Sequence, residues 1–413
     1  MKIVLIGGSS PSTPTLIDWL AAYRPLPPLE IILLSRSETS LEPVARAARL
    51  LVGDRPISIS VIPTTDYRWA ESLDNADIIV LQLRIGGYEA RQQDESFPLE
   101  VGICGDQELG PGGLANAWRS WPVVKSYITE AAARAPQSLF LVLSSPVGLL
   151  VRLGLLSAPH LNIVGICELP WSTMLQICCG NGISYSDISF SYVGLHHFGW
   201  FYHFESQSRD FVKEYQISGG AIPEFPSAAL VQRFSAIPTR YARLHCDPVA
   251  AIAMQKLDLG KRVRYLTGHR QNALQVFSRG DINEIKTVLK QRAAPWYSEA
   301  IGPLVAAVAG AKVMQPFFLS RPNQAIVEEL HEDDIVELAH YITDSTIRVQ
   351  PIRKPIPDKV LNAIQSFVQA ERLAADAVWS TDPSILRLAL RAHPWTKSKE
   401  EFHPTLAEMI TKA

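Results

Sequence analysis

The sequence predicts an α/β protein that begins with a doubly wound parallel sheet and continues into a mainly α region with a small mixed sheet. Two observations lead to this prediction. Up to about residue 170, short and continuous apolar runs alternate with segments of helical periodicity, as in parallel strands covered by helices on both faces. The pattern changes after about residue 170, and from about Ser227 onward longer helical patterns dominate. Such alternation followed by helices is typical of an open α/β sheet with a second, helical part.

The predicted elements of the first part are six strands and three helices. The predicted strands are Lys2–Ile6, Ile31–Leu34, Ile57–Ile62, Ile78–Leu83, Leu139–Leu143 and Ile163–Cys167. The predicted helices are Thr15–Tyr23, Leu41–Val52 and Pro122–Ala135.

The second part has two predicted strands, Ile188–Val193 and Trp200–Phe204, on either side of a segment rich in glycine and histidine. Its predicted helices are Val249–Leu266, Ile282–Arg292, Ala300–Val313, Asp358–Val378 and Ser384–Ala392. Pro351–Pro357 is predicted to be an extended connector, because it is rich in proline.

Composition excludes several classes of protein. Thirty-nine basic and 41 acidic residues give a net charge of −2, so no basic excess indicates nucleic-acid binding. The longest apolar stretch, Leu139 to Val151, is interrupted by polar residues and is shorter than the roughly 20 residues of a membrane helix. Five cysteines in 413 residues and a strand-like N-terminus predict a cytoplasmic protein with neither a disulfide framework nor a secretory signal. A soluble enzyme is the default class.

A loop rich in glycine and serine follows the first strand and precedes the first helix. Backbone N–H groups and the positive end of a helix bind the pyrophosphate of a dinucleotide in this context. Ser9 and Ser12 occupy two of the usual glycine positions, so an ordinary strand–helix turn is the alternative. The expected contacts to a Rossmann-like cofactor are Gly7, Gly8, Ser9, Ser10 and Thr13.

The end of the second strand lacks the acidic residue that usually binds the ribose hydroxyls. Ser35 and Arg36 stand there instead. A hydroxyl followed by arginine suits a 2′-phosphate, so NADP is an alternative to NAD, and a solvated loop arginine is the simpler explanation of Arg36.

Several further segments, in this order, resemble the NAD-dependent glycosidases of glycoside hydrolase family 4, which include 6-phospho-α- and 6-phospho-β-glucosidases. They are Arg84–Arg91, Gly110–Gly113, Ser144–Pro146, Cys167–Pro170, Gly194–Trp200, Ile237–Tyr241, Ala370–Ala374 and Ala389–Pro394. The resemblance covers nearly the whole chain. It implies an NAD-binding domain over residues 1–168 and a substrate, metal and oligomerisation domain over residues 169–413.

The resemblance also implies a redox-elimination route, which differs from direct displacement by two carboxylates. NAD⁺ takes a hydride from C3 of the sugar, the acidified C2 proton is removed, the aglycone leaves, water adds and the hydride returns. A divalent metal, usually manganese, polarises the C2 and C3 oxygens.

The resemblance assigns roles to five residues around the sugar. Cys167 and His197 match metal ligands, although a lone buried cysteine is more often a small apolar residue. His196 stands where the family usually has asparagine, and it either contacts substrate or alters the metal site. Tyr241 matches the catalytic base, for which a core tyrosine is the alternative. Glu168 stands where α-glycoside members have a general acid, and it therefore favours an α-glycoside.

Substrate contacts are implied for Arg91 and Ser145, and a cofactor contact for Ser144. Arg91 matches a substrate-binding arginine, with a surface salt bridge as the alternative. Ser145 replaces the family's asparagine. The substrate-binding arginine of the second domain has no clear counterpart, since Ile252 falls near its position.

The sequence therefore predicts an NAD-dependent glycosidase for an α-glycoside of glucose with an anion at C6, either a phosphate or the sulfonate of a sulfoquinovoside. A sulfonate is a monoanion and needs fewer positively charged partners than a phosphate does. A sugar or 2-hydroxy-acid dehydrogenase on the same fold is the alternative enzyme, and a nucleotide-binding sensor is the non-catalytic one. The resemblance implies a homodimer or homotetramer.

Overall fold

Six parallel strands form one half of a continuous sheet in the computed structural model, which describes residues 1–219 and 227–413. They are β1 (Lys2–Ile6), β2 (Leu29–Ser35), β3 (Ile57–Pro63), β4 (Ile78–Leu81), β5 (Leu139–Val142) and β6 (Asn162–Cys167). Their order in the sheet is β3-β2-β1-β4-β5-β6, so the direction of progression reverses between β1 and β4. A reversal of this kind opens a ligand crevice at the carboxyl ends of the strands.

Helices cover both faces of these strands. They are α1 (Thr13–Ala22), α2 (Glu38–Val52), α3 (Gly87–Glu100), α4 (Pro111–Arg134) and α5 (Val147–Ser157). Alternate residues of each strand enter opposite cores: Val4 and Ile6 of β1 belong to one apolar cluster, and Ile3 and Leu5 belong to the other. Burial on both faces explains why these strands, apart from the edge strand β3, are mostly apolar runs. The architecture confirms the predicted fold class.

Helix α4 is longer than the sequence predicts. It begins at Pro111, whereas the predicted helix begins at Pro122, which lies inside α4. Pro111 occupies the first helical turn, where the missing N–H costs nothing. Gly112 faces the Asp94 carbonyl so closely that an added Cβ would lie 2.1 Å from its oxygen. Gly112 is therefore required by the close packing of α4 against α3.

Among the described residues, seven antiparallel strands complete the sheet. They are β7 (Ser189–Leu195), β8 (Phe198–Ser206), β9 (Arg209–Asp210), β10 (Ile237–Pro238), β11 (Phe317–Pro322), β12 (Ile335–Thr343) and β13 (Thr346–Val349). Strand β11 pairs with β6, with Phe318 opposite Cys167, and β12 links β11 to β7. The small mixed sheet expected in the second part is thus an extension of the parallel sheet. Because the sheet crosses residue 168, the division into two domains there stays a prediction.

Helices make up most of the remaining chain. They are α6 (Leu169–Asn181), α7 (Phe211–Ser218), α8 (Ala228–Phe234), α9 (Arg243–Cys246), α10 (Pro248–Asp258), α11 (Lys261–Arg279), α12 (Ile282–Gln291), α13 (Gly302–Val308), α14 (Asp358–Ser380), α15 (Pro383–Ala392) and α16 (His403–Lys412). The single helix predicted over residues 249–266 is wrong. Gly260 has φ +74° and separates α10 from α11, because this left-handed conformation cannot continue a helix.

The last three helices return to the first part of the chain. Ala374, Leu390 and Ile410 are buried in the same apolar cluster as Val151 of α5. The C-terminal helices therefore hold in place the elements that carry the loops after β4 and β5. Over the described residues, no helix combines the length and the apolar character that crossing a membrane requires.

Candidate functional site

A cleft of about 1260 Å³ opens at the carboxyl ends of the parallel strands. Five successive strand ends contribute to its wall, through Gly7, Ser35, Gln82, Ser144 and Glu168. The opposite wall comes from α10, α11 and the segment around Tyr241. A large cleft at the switch point of a doubly wound sheet is the default ligand site of this architecture.

The loop after β1 is built for close approach of a ligand to the backbone. Gly7 has φ +89°, a conformation that favours glycine. An added Cβ on Gly8 would lie 2.8 Å from Leu33 Cα, so this glycine is required for packing against β2. The hydroxyls of Ser9 and Ser35 are hydrogen-bonded at 2.7 Å. Gly7, Ser9 and Ser10 line the cleft, whereas Gly8 lies behind it.

Thr13 is fully buried in a polar network beneath this loop. Gln82 Nε2 donates to Thr13 Oγ1 at 3.1 Å and to the Gly7 carbonyl at 3.2 Å. The Tyr297 hydroxyl donates to Gln82 Oε1 at 2.6 Å. Thr13 therefore supports the loop from below, and Tyr297, which the sequence did not single out, fixes Gln82.

Arg36 is exposed at the rim of the same end of the cleft. Arg270 of α11 also lines this end and donates to Ser40 Oγ at 3.0 Å. The rim is therefore positively charged, as the 2′-phosphate alternative requires, but Arg36 itself is open to solvent.

Three potential metal ligands converge at the other end of the cleft. The ligand atoms of Cys167, His196 and His197 all lie within 4.8 Å of one another. Cys167 ends β6, and the two histidines form the turn between β7 and β8. Their rings are stacked, with centroids 4.4 Å apart. Residues distant in sequence are brought together because β11 and β12 place the β7–β8 hairpin beside β6.

The chemistry of these donors fits a divalent ion. Burial raises the pKa of the Cys167 thiol to about 12, so a nearby cation is needed to hold the thiolate. Burial lowers the pKa of His197 well below its usual value, which keeps the imidazole neutral and able to coordinate. His197 also has φ +65°, an uncommon conformation for a residue other than glycine. Such backbone strain clusters at functional sites.

Tyr241 and Glu168 flank this cluster. The Tyr241 ring lies 4.7 Å from the His197 ring between centroids, and the Arg240 guanidinium lies 5.1 Å from the Tyr241 centroid. Glu168 directly precedes α6 and lines the cleft. Removal of its carboxyl from water raises the pKa of Glu168, which favours the protonated form.

Arginines gather beside Tyr241. Arg91 of α3 donates to Glu95 Oε1 at 2.8 Å, and Arg84 donates to Gln107 Oε1 at 3.1 Å. Burial, together with the Arg91 charge, lowers the pKa of Arg84 to about 10 and also lowers the pKa of Arg262. Arg84, Arg91 and Arg262 thus repel one another in the cleft with Glu95 as an acidic neighbour, an arrangement that a bound anion would relieve.

Arg262 is the functional candidate that sequence reasoning missed. It stands in the first turn of α11, whereas the expected position for an arginine in this part of the chain fell at Ile252 of α10. The break at Gly260 turns α11 back toward α3.

Ser144 and Ser145 follow β5, and the hydroxyl of each donates to another group of the protein. The Ser144 hydroxyl donates to the carbonyls of Leu81 and Leu83, at 3.3 and 3.0 Å. The Ser145 hydroxyl donates to the Glu108 carboxylate, which also accepts from the Val147 N–H at 2.8 Å. Both serines line the cleft, with Glu108 holding the loop that carries Ser145.

Behind this loop, Glu371 of α14 lines a second, smaller cavity together with Glu108. Its removal from water raises the pKa of Glu371 to about 8. The Glu371 carboxyl therefore holds its proton more tightly in the folded protein than in the unfolded chain. As a result, the free energy of unfolding falls as pH rises from about 4.5 to about 8.

We expect Glu371→Gln, which mimics the protonated acid, to be more stable than the original protein at pH 8.5 by a few kcal/mol, at about 1.4 kcal/mol per pKa unit. The difference is expected to shrink toward pH 5. Denaturant unfolding at both pH values measures it, with Glu100→Gln on the exposed surface as control. A constant difference at both pH values would contradict the raised pKa.

Comparison with known proteins agrees with this architecture. The model "Family 4 glycosyl hydrolase" matches residues 2–179, and "Family 4 glycosyl hydrolase C-terminal domain" matches residues 192–396. These matches define the protein as a glycosyl hydrolase. More particularly, the chain belongs to family 4 of these enzymes, which confirms the resemblance seen in the sequence.

Individual relatives are distant in sequence. A probable 6-phospho-beta-glucosidase of Bacillus subtilis is 24% identical over 99% of this chain and 96% of its own length. A 6-phospho-alpha-glucosidase of Lacticaseibacillus paracasei is 31% identical, over 48% of this chain and 45% of its own length. The 6-phospho-beta glucosidase of Thermotoga maritima, solved with manganese, NAD⁺ and glucose-6-phosphate, superposes with a TM-score of 0.84 at 20% identity, covering 100% of this chain and 98% of that one.

Proposed function

We propose that the protein is an NAD-dependent glycosidase that cleaves an α-glycoside of glucose carrying an anionic group at C6. The observation that carries this proposal is the convergence of Cys167, His197 and Tyr241 at one end of the cleft, beside Arg91 and Arg262. Relatives named as 6-phosphoglucosidases of both anomeric types support the class of substrate.

The loop after β1 fits a dinucleotide. Gly7, Ser9 and Ser10 present backbone to the cleft directly before α1, where phosphates are favoured. Bound NAD⁺ would supply the hydride acceptor for C3 of the sugar and return the hydride at the end of the cycle. Ser144 borders the same cleft, and its hydroxyl fixes the loop after β4.

Cys167 and His197 would hold the divalent ion, manganese in the related structure. The ion would draw electron density from the C2 and C3 oxygens of the sugar. The neutral imidazole of His197, and the Cys167 sulfur that accepts from the Leu169 N–H at 3.4 Å, fit this role.

Tyr241 is positioned to remove the C2 proton. It contacts the His197 ring, so its hydroxyl belongs to the same end of the cleft as the metal ligands. A phenol acts as a base near neutral pH only beside positive charge, and Arg240 and Arg262 provide it.

Glu168 is positioned to protonate the departing oxygen. Its raised pKa keeps a larger fraction of the carboxyl protonated than in an ordinary glutamate. This acid next to the metal cysteine is the feature that favours the α-glycoside.

Arg91 and Arg262 bind the C6 anion in this proposal. Arg91 is half-buried and Arg262 is exposed at the cleft, and two guanidinium groups that repel each other form a site for phosphate or sulfonate. Glu95 offsets part of this charge, so a monoanion and a dianion are both compatible with the site.

Replacement of Arg262 by Met is expected to lower kcat/KM for the C6-anionic glycoside by about 10- to 100-fold, since a hydrogen bond to a charged group contributes about 1.5–3 kcal/mol. Activity on the neutral glucoside should change less than three-fold, about the scatter of a surface substitution. Arg49→Met, whose partner Glu42 lies on the surface, is the control. Equal losses of kcat/KM on both substrates would contradict an anion-binding role for Arg262.

Four 4-nitrophenyl glycosides test the function: the 6-phospho-α-glucoside, the 6-phospho-β-glucoside, the α-sulfoquinovoside and the neutral α-glucoside. Each is incubated with and without NAD⁺ and Mn²⁺. The proposal expects NAD⁺-dependent release of nitrophenol from at least one anionic α-glycoside, and the phosphate and sulfonate arms separate the two substrates. No release from either anionic α-glycoside would refute it.

The same assay separates the glycosidase from a dehydrogenase on this fold. A glycosidase of this kind returns the hydride to the sugar in every turnover, so NADH does not accumulate. A stoichiometric rise of NADH with sugar oxidation would support the dehydrogenase alternative.

A further inference from the structure

A buried carboxylate stands directly behind His196. Glu337 of β12 is fully buried, and its Oε1 accepts from the Tyr192 hydroxyl at 2.6 Å. Its other oxygen, Oε2, lies 3.5 Å from His196 Nδ1 and has no hydrogen-bond partner among the described residues. An acid without a cation in a dry interior is costly, so this oxygen needs a donor.

His196 is the group that faces this oxygen. If Nδ1 carries the proton toward Glu337, the lone pair of Nε2 is available on the other side of the ring. One ring nitrogen of His196 lies within 4.8 Å of the ligand atoms of Cys167 and His197. A carboxylate behind a histidine is the usual arrangement that orients a metal-binding imidazole and increases its basicity.

We propose that His196 is a third protein ligand of the metal, oriented by Glu337, and that this site prefers zinc or cobalt over manganese. The inference rests on the metal site of the proposed function and extends it to the identity of the ion. A thiolate and two imidazoles form a softer donor set than manganese favours, and three protein ligands with an open position are typical of catalytic zinc.

The same arrangement limits how the sugar can bind. With three protein ligands, a four-coordinate ion keeps one open position, and a second sugar oxygen requires expansion to five ligands. His196 would therefore coordinate the ion and would not contact the sugar directly.

Metal binding to the purified apoprotein tests this inference without substrate or NAD⁺. Zn²⁺, Co²⁺ and Mn²⁺ are titrated in turn, and the thiolate-to-cobalt absorption reports coordination by Cys167. The variants are His196→Asn and Glu337→Gln. His203→Asn is the matched control, because His203 is a buried histidine beside a carboxylate, Glu205 at 3.2 Å, on the same sheet.

We expect His196→Asn to weaken zinc and cobalt binding by at least about 100-fold and to change the visible spectrum of bound cobalt. Manganese binding should weaken less than about 10-fold, because the asparagine oxygen suits this harder ion. Glu337→Gln should weaken zinc binding by about 10- to 100-fold, the usual cost of removing an outer partner. His203→Asn should bind all three ions as the original protein does.

Unchanged zinc affinity and an unchanged cobalt spectrum in His196→Asn would overturn the inference, as would an original protein that binds no ion. If His196→Asn fails to fold by circular dichroism, Glu337→Gln decides, and the absence of any loss of zinc affinity there refutes the proposal. None of these outcomes depends on glycoside cleavage, so failure of the substrate assignment stays distinguishable.

Discussion

Tyr241→Phe is expected to lower kcat on the C6-anionic glycoside by about 10²- to 10⁴-fold, the usual contribution of a positioned general base. The substitution removes only the hydroxyl, while the ring keeps its contacts with His197 and Arg240. Affinity for NAD⁺ and thermal stability should therefore stay close to those of the original protein. Initial rates, calorimetric NAD⁺ binding and melting temperature measure the three quantities.

Tyr202→Phe is the control for this substitution, because Tyr202 is buried in β8 outside the lining of the cleft. It should retain full activity. If Tyr241→Phe also retained its activity, the base would have to be another group, and the proposed role of Tyr241 would be withdrawn.

Glu168→Gln is expected to lower kcat/KM by a similar factor, about 10²- to 10⁴-fold, but only for glycosides whose leaving group needs a proton. Methyl glycosides leave as a basic alkoxide and should show the full loss. The 4-nitrophenyl glycoside leaves as a stable phenolate and should lose far less. The ratio of kcat/KM for the two aglycones, compared between the variant and the original protein, measures the effect.

Glu299→Gln serves as the neighbouring control, since the Glu299 carboxylate accepts from Ser172 and lies outside the lining of the cleft. Equal losses on both aglycones in Glu168→Gln would indicate a role in binding or folding and not in proton donation.

The parallel half of the fold is predictable from the sequence because its strands, apart from the edge strand β3, are buried on both faces. Such strands are unbroken apolar runs, and β1 to β6 agree with the predicted strands to within two residues at each end. The strands β11 and β12 escaped prediction. These two strands contain polar side chains such as Ser320 and Glu337. The side chains are buried only because strands distant in sequence pair with β11 and β12. No local pattern reports that pairing.

The site divides in the same way. Cys167, Glu168, His197 and Tyr241 belong to short motifs at strand ends; the last three line one cleft, and the Cys167 sulfur lies within 4.8 Å of the His197 ligand atom, while their roles stay predictions. Arg262 has no such motif, because an arginine on a long amphipathic helix normally faces solvent. Only the turn at Gly260 directs it toward Arg91.

The central claim, that the glycosidic bond breaks by oxidation and elimination, is tested most directly by hydrolysis in D₂O. Removal of the C2 proton and its replacement from solvent should place deuterium at C2 of the released sugar, and a substrate deuterated at C2 should react more slowly. Mass spectrometry and proton NMR of the product report the label. Release of sugar with no deuterium at C2, at a rate independent of NAD⁺ and of C2 substitution, would contradict the proposed mechanism.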